Sequence, residues 1–241
     1  MEKVVASIMC GDQLHLAEEL VALEKAGINW LHCDVMDGIF VNNLAMGPYV
    51  LEAIINGGRF TTDIHLACQQ PEKYIEMFAE LKPDYLTFHY EAAGSLTKLL
   101  GQVHSHGIKA GVAISPRTPI DVIYPYLENI DLVLMMTVEP GFAGQQFNWT
   151  VLEKLKRLTK QLESVKKKPL IEVDGNINAQ TINKISPMAD LYVVGTSALF
   201  NHQEGTYEDK VKAVEAAFAS GRAAERFVDT ANLANGNRDP Y

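Results

Sequence analysis

Asn29–Met36 reads NWLHCDVM, an apolar run carrying two polar side chains, His32 and Asp34, one residue apart. Side chains along a strand alternate between its two faces, so residues two apart project the same way. As a strand, this run puts an imidazole and a carboxylate side by side near its carboxyl end. Cys33 then points the opposite way, into the layer between strands and helices, as packing.

Runs of the same kind recur on both sides of it. Strands are predicted at Val4–Met9, Trp30–Met36, Phe60–His65, Tyr85–His89, Ala110–Ser115, Leu132–Thr137, Leu170–Asp174 and Leu191–Gly195. Between them, Asp12–Ala26, Pro48–Asn56, Pro71–Leu81, Ser95–His106, Pro119–Leu127, Thr150–Val165 and Ala179–Ile185 carry apolar residues at helical spacing, as at Leu16, Leu20 and Leu23. Pro48, Pro71 and Pro119 suit a first helical turn, where a missing N–H costs nothing. A last helix is predicted over Tyr207–Phe218, extending to Phe227. Eight strand–helix units without a run of hairpins predict an α/β fold, a single closed (β/α)8 TIM barrel, over an open doubly wound sheet. No internal stretch is rich enough in Gly, Ser or Pro to divide the chain. One domain is expected over residues 1–230, barrel and C-terminal helix together, with residues 231–241 as a polar tail.

The chain has 241 residues, 47% of them apolar and 21% charged, within the range of a soluble globular protein. Its formal charge of −9 argues against nucleic acid or an anionic membrane as a partner. An anionic small molecule stays open, because backbone N–H groups can hold one locally. The three cysteines, Cys10, Cys33 and Cys68, lack metal-finger spacing and cannot all pair. Met1–Met9 enters a strand without signal-peptide character, and no apolar run is long enough to span a membrane. A cytoplasmic protein is expected, and a homo-oligomer, as is common for acidic soluble enzymes.

Two further polar residues end apolar runs: His65 closes FTTDIH and Asp174 closes PLIEVD. In a barrel the carboxyl ends of all strands open on one face, and strand seven lies across from strands two and three. A lone His at a strand end is ordinarily a hydrogen-bonding residue, and a lone Asp before Gly a turn residue. Four unpaired polar groups converging on one mouth would be costly, and one divalent metal ion removes that cost. His32, Asp34, His65 and Asp174 therefore form a candidate metal site, with donors that suit Zn²⁺, Fe²⁺ or Mn²⁺.

A second constellation is rich in glycine. Gly141-Phe142-Ala143-Gly144 follows strand six, Gly175-Asn176 follows strand seven, and Gly195-Thr196-Ser197 follows strand eight. Each alone reads as a tight turn; three on adjacent strands read as a phosphate cradle. A metal facing a phosphate cradle suggests a small phosphorylated substrate with vicinal oxygens. Two opposed carboxylates add the reaction type: one removes a proton beside a carbonyl and the other returns it on the opposite face, with the metal as Lewis acid for the enediolate charge. The chemistry points to epimerisation.

From Val4 to His202 the chain resembles the ribulose-phosphate 3-epimerases. The resemblance is carried by Ala6-Ser7-Ile8-Met9, by His32 through Val41, by Asp63-Ile64-His65-Leu66, by Phe88-His89-Tyr90-Glu91, by Met136 through Gln145, and by Glu172-Val173-Asp174-Gly175. It implies a (β/α)8 enzyme interconverting D-ribulose 5-phosphate and D-xylulose 5-phosphate. His32, Asp34, His65 and Asp174 would bind the metal, and Asp34 and Asp174 would be the acid/base pair. Ser7, His65, Met36 and Met136 would meet the substrate, the methionines excluding water or simply packing the core. The three glycine-rich loops would surround its phosphate.

The chain departs from that family's pattern in several places. Ala6 stands where Pro is usual, Ala67 where the third active-site Met is usual, and Ile39-Phe40-Val41-Asn42-Asn43 replaces His-Phe-Val-Pro-Asn. Asn176 replaces a Gly. Ala143 and Gly195-Thr196-Ser197-Ala198-Leu199-Phe200 are more similar to the related allulose-6-phosphate 3-epimerases, which act on a ketose one carbon longer. A hexulose phosphate therefore stands as an alternative substrate, and a non-catalytic sugar-phosphate sensor as a more distant one. A Schiff-base aldolase on the same fold would need an inward lysine near a strand's carboxyl end. Lys109 starts strand five and Lys168 precedes strand seven, so that rival is weak.

Overall fold

The computed structural model describes residues 3–201 and 203–235, with side chains described through residue 222. Eight parallel strands form a closed barrel in chain order: β1 Lys3–Ser7, β2 Trp30–Met36, β3 Thr61–Ala67, β4 Tyr85–His89, β5 Lys109–Ile114, β6 Leu132–Met136, β7 Leu170–Asp174 and β8 Leu191–Val194. β1 pairs with β8 through Lys3↔Leu191 to Ala6↔Val194, which closes the ring. Helices α1 Leu16–Lys25, α2 Pro48–Asn56, α3 Pro71–Ala79, α4 Leu96–Ser105, α5 Val151–Leu162, α6 Ala179–Ile185 and α7 Tyr207–Asn235 occupy the outside. Among the described residues, no helix is long and apolar enough to cross a membrane.

β2 displays the alternation directly. Leu31, Cys33 and Val35 join the large outer core between strands and helices. Trp30 joins the apolar floor of the barrel with Tyr85, Leu132, Leu134 and Leu191, and Met36 joins a small cluster at the mouth. His32 and Asp34 share the inward face between them, fully or almost fully buried. One strand thus supplies floor, site and rim from alternate residues.

Local chemistry fixes the element ends. Ser95 caps α4, its hydroxyl accepting the Lys98 N–H at 3.5 Å, and Asn178 with Thr181 forms a reciprocal capping box on α6. Several elements differ from expectation. β3 starts at Thr61 and runs past His65 to Ala67, and α1 starts at Leu16 rather than Asp12. The fifth outer segment, Ile120–Asn129, is a 3₁₀ helix rather than an α-helix, with Pro119 before its first turn and Pro125 inside it. Proline there removes an N–H donor and prevents a regular i→i−4 ladder. β1 stops at Ser7 and turns at once into a short 3₁₀ segment, Ile8–Cys10, instead of continuing to Met9. The last helix continues to Asn235, past Phe227, and the remainder of the expected tail, 236–241, lies outside the described residues.

Gly111 on β5 shows how tightly the interior is fitted. A Cβ there would sit 2.1 Å from the Thr87 hydroxyl oxygen and 2.9 Å from the Thr87 Cβ. Thr87 cannot turn away freely, because its hydroxyl donates to Asp63 Oδ1 at 2.6 Å. Gly111→Ala is therefore expected to destabilise the fold by about 1–3 kcal/mol, the usual cost of overpacking. Equilibrium urea denaturation measures it; an unchanged midpoint would mean that Thr87 is free to rotate.

Candidate active site

Strand register brings the predicted site together. Ser7 lies opposite His32 across β1–β2, Asp34 opposite His65 across β2–β3, and Met136 opposite Asp174 across β6–β7. His32, Asp34, His65 and Asp174 each turn a ligand atom to one point, all within 4.8 Å of one another. His32 Nε2 is 3.2 Å from His65 Nδ1 and 3.4 Å from Asp34 Oδ1, and His65 Nδ1 is 3.1 Å from Asp34 Oδ1. Donors bound at about 2.0–2.2 Å to one first-row cation sit roughly 3.0–3.5 Å apart, so the His32, Asp34 and His65 atoms are spaced as for one divalent metal, with an Asp174 oxygen within 4.8 Å of them.

Asp34, His32 and His65 each have a second partner behind them. Ser7 donates to Asp34 Oδ2 at 3.1 Å. His32 Nδ1 lies 3.3 Å from Asp63 Oδ2 and 3.7 Å from Glu172 Oε2, and all three side chains are fully buried. His65 Nε2 lies 3.0 Å from His89 Nε2, and His89 Nδ1 lies 3.1 Å from Glu91 Oε2. Outer-shell carboxylates of this kind fix the orientation and tautomer of histidine ligands.

Burial and proximity set the proton affinities. Burial pushes Asp34 up, but the His32 and His65 rings beside it outweigh that and hold its carboxyl well below the usual range. Burial raises Asp174 to about 7, with the Asp34 charge adding to the rise and His32 opposing it. Burial also raises Glu172 to about 8. His65 falls to about 4 through burial, despite its hydrogen bond to Asp34. His32 goes the other way: burial lowers it, but Asp34, Asp63 and Glu172 carry it well above its ordinary value.

Above these groups lies a cavity of about 240 Å³. That is smaller than drug-sized sites of roughly 300–1,000 Å³ and suits a small metabolite. Ser7, Asp34, Met36, His65, Met136 and Asp174 line one end. Gly141, Phe142, Ala143, Gly144, Gly175, Asn176, Gly195, Thr196 and Ser197 line the rest. His32 sits beneath, closing the ligand cluster from inside the barrel.

The loops are held by hydrogen bonds between them. Asn43 Nδ2 donates to the Gly141 carbonyl at 2.7 Å, and Asn176 Nδ2 to that of Gln145 at 2.8 Å. Ser197 donates to the Ile177 carbonyl at 2.9 Å. Gly175 has φ +119°, and a Cβ there would lie 2.6 Å from Val138 Cγ2. Asn176 follows it at φ 52°, a left-handed conformation that Asn tolerates better than most residues.

The chain is thus a (β/α)8 barrel with a carboxylate pair and metal-type donors at its mouth, facing glycine-rich loops after its last strands. A profile of the ribulose-phosphate 3 epimerase family matches residues 3–200. The chain belongs to that family and is an enzyme of the isomerase class. It is 38% identical over 205 residues to a ribulose-phosphate 3-epimerase of Bacillus subtilis, covering 85% of this chain and 94% of that one. With the Schizosaccharomyces pombe protein of the same name it is 36% identical, covering 83% and 88%. Among solved structures, 3-hexulose-6-phosphate synthase from Salmonella typhimurium superposes with a TM-score of 0.64 at 16% identity, covering 92% of this chain and all of that one, a likeness of fold.

Sequence reasoning missed several residues. Met9 and Cys10 line the cavity because β1 ends early and the 3₁₀ turn swings them inward. Met9 packs against the cluster of Met36, Val41 and Ala67, beside the position where the usual third methionine is absent. Asp63, Glu172, His89 and Glu91 stood within recognised motifs, but their contacts come from neighbouring strands. Thr137 was missed too: its hydroxyl donates to the Asp174 carbonyl at 2.8 Å and also to the Gly175 carbonyl. Thr137→Val keeps the shape and removes those bonds, so it should cost about 1–2 kcal/mol in urea denaturation. No loss would show that the strand end carrying Asp174 is held without the hydroxyl.

Proposed function

We propose that the protein is a divalent-metal-dependent 3-epimerase of a ketose phosphate, with D-ribulose 5-phosphate and D-xylulose 5-phosphate as its substrate pair. The observation that carries this reading is the convergence of Asp34 and Asp174 from different strands on one small cavity closed by glycine-rich loops. The names and similarity of the relatives support the pentulose.

Asp34 and Asp174 act on opposite faces of substrate C3. One takes the C3 proton, leaving an enediolate, and the other returns a proton to the far face; their roles exchange in the reverse reaction. An ionised carboxylate beside a carboxyl near neutrality is the arrangement such a pair needs. Ser7 orients Asp34 through its hydrogen bond. Met36 and Met136 cover the reacting end and keep water from it. Backbone N–H groups around Gly175-Asn176 and Thr196-Ser197 hold the phosphate. His32, Asp34, His65 and Asp174 would hold the cation, as Zn²⁺, Fe²⁺ or Mn²⁺, which would supply Lewis-acid stabilisation of the developing negative charge.

Asp34→Asn and Asp174→Asn should each lower epimerisation, and solvent exchange of the C3 hydrogen, by at least about 100-fold. Deuterium incorporation followed by NMR measures it on metal-reconstituted protein. Near-normal exchange by either variant with metal bound would remove the two-base assignment. In the same assay kcat/KM for D-ribulose 5-phosphate should exceed that for D-allulose 6-phosphate. The reverse order would assign Ala67 and Ala143 to hexulose specificity, and exchange of neither substrate would favour a sensor.

Metal uptake should depend on pH with a definite sign. Asp174, raised to about 7, and His32, raised well above its ordinary value, must both give up protons before binding a cation. Zn²⁺ affinity should therefore rise between pH 5.5 and 7.5, by about tenfold per pH unit for each proton displaced. Competition with a chromophoric chelator reads this, and a flat profile would exclude these groups as ligands.

A further inference from the structure

The His65 ring is held by a relay that runs from the metal-type cluster to the edge of the barrel. His65 Nδ1 faces the cluster, and its Nε2 lies 3.0 Å from His89 Nε2. His89 Nδ1 lies 3.1 Å from Glu91 Oε2. The His65 and His89 rings are buried with centroids 5.0 Å apart, and Phe40 packs on the other side of His89 at 4.8 Å. Glu91 ends the relay, its side chain 24% exposed. Its second oxygen, Oε1, accepts the Ser115 N–H at 2.9 Å and the Thr118 hydroxyl. Lys154 holds the Ser115 end of that loop, its Nζ donating to the Ser115 carbonyl at 2.8 Å.

We propose that Glu91 is a positioning residue that sets, through His89, which nitrogen of His65 carries hydrogen. An ionised carboxylate only accepts, so His89 Nδ1 carries the hydrogen that faces Glu91. With its one hydrogen on Nδ1, the His89 ring presents a lone pair at Nε2, and in the proposed relay that lone pair accepts the hydrogen on His65 Nε2. His65 Nδ1 is left as a lone pair aimed at the cluster, the form a metal ligand requires. Burial pushes the Glu91 carboxyl up, but its bonds to His89, Thr118 and Ser115 outweigh that and hold it at about 2. This inference rests on the metal site proposed above.

The relay makes an unusual demand of an isosteric change. In Glu91→Gln the amide oxygen can keep the Ser115 and Thr118 bonds while the NH₂ faces His89. That reverses each step, gives His89 its hydrogen on Nε2, and sets two N–H groups against each other or forces hydrogen onto His65 Nδ1. The expected result is a Zn²⁺ Kd raised roughly 10–100-fold in chelator competition, the usual range for an outer partner of a ligating histidine. Thr118→Val removes a bond to Glu91 without reversing the relay, and it should leave the Kd within about threefold.

Long-range ¹H–¹⁵N spectra of the Zn²⁺-loaded, ¹⁵N-histidine-labelled protein read the tautomers directly. Wild type should carry hydrogen on Nδ1 of His89 and Nε2 of His65, and in Glu91→Gln the His89 hydrogen should move to Nε2. Hydrogen on Nε2 of wild-type His89 would overturn the relay even if no variant folded. So would an unchanged Kd for Glu91→Gln, or an equal loss in Thr118→Val, which would make Glu91 a structural anchor. Failure of the wild type to bind Zn²⁺ at all would instead remove the metal site itself, and the relay with it.

Discussion

Two imidazoles and two carboxylates with ligand atoms within 4.8 Å of one another, three of them buried and Asp174 half-buried, are the constraint to which the rest of this barrel answers. Removing such groups from water costs several kcal/mol per charge unless partners compensate. The compensation is built in depth. Ser7 meets Asp34, Asp63 and Glu172 stand behind His32, and His89 stands behind His65. Asp63 is itself held by Thr87, and Thr87 has room only because β5 carries Gly111 beside it. A glycine two strands from the cluster is thereby tied to the setting of one histidine.

The two ends of the cavity are built differently, and the difference suits their tasks. Asp34, His65 and Asp174 project from strands locked by register on both sides, which suits side chains that must be placed to a fraction of an ångström. The opposite end is made of loops, joined by Asn43 to Gly141 and by Asn176 to Gln145. Recognition built on such loops can change with single substitutions while the strand-borne groups stay fixed. Ala143 and Asn176 stand in these loops, whereas the four donors stand on β2, β3 and β7.

The barrel was legible in the sequence because β2 alternates so cleanly: Leu31, Cys33 and Val35 face out, and Trp30, His32, Asp34 and Met36 face in. The same period places His32, Asp34, His65 and Asp174 on inward faces, although β2 runs past Asp34 to Met36 and β3 past His65 to Ala67. What was hidden depends on neighbours far along the chain. That Asp63 serves His32 follows from the register of β2 against β3. That Glu91 meets Ser115 depends on how the loops after β4 and β5 fold over the rim. The early end of β1, which brings Met9 and Cys10 into the cavity, left no mark in an apolar pattern that runs on past Ser7. The 3₁₀ form of the fifth outer segment was written in Pro125, but helical spacing masked it.

Fold alone does not choose the reaction, since a barrel only 16% identical superposes on this one. The side chains at the mouth narrow the choice. Among the described residues lining the cavity there is no lysine or arginine, whereas Asp34, Asp174 and Glu139 line it, Glu139 paired with Arg117 at 2.9 Å. Lys109 stands at the opposite end of its strand, its Nζ 4.6 Å from the centre of the Tyr85 ring at the barrel floor. Among the described residues, the cavity lining therefore offers a Schiff base no amine, and Lys154 Nζ is turned to the Ser115 and Pro116 carbonyls. The same deficit bears on the substrate, because a phosphorylated ketose brings more negative charge to a cavity already lined by carboxylates. Backbone N–H groups can serve the phosphate, but they do not neutralise Asp34 and Asp174. A divalent cation between those carboxylates would do so, and it would leave the charge generated at C3 with a counter-charge at the place where it forms.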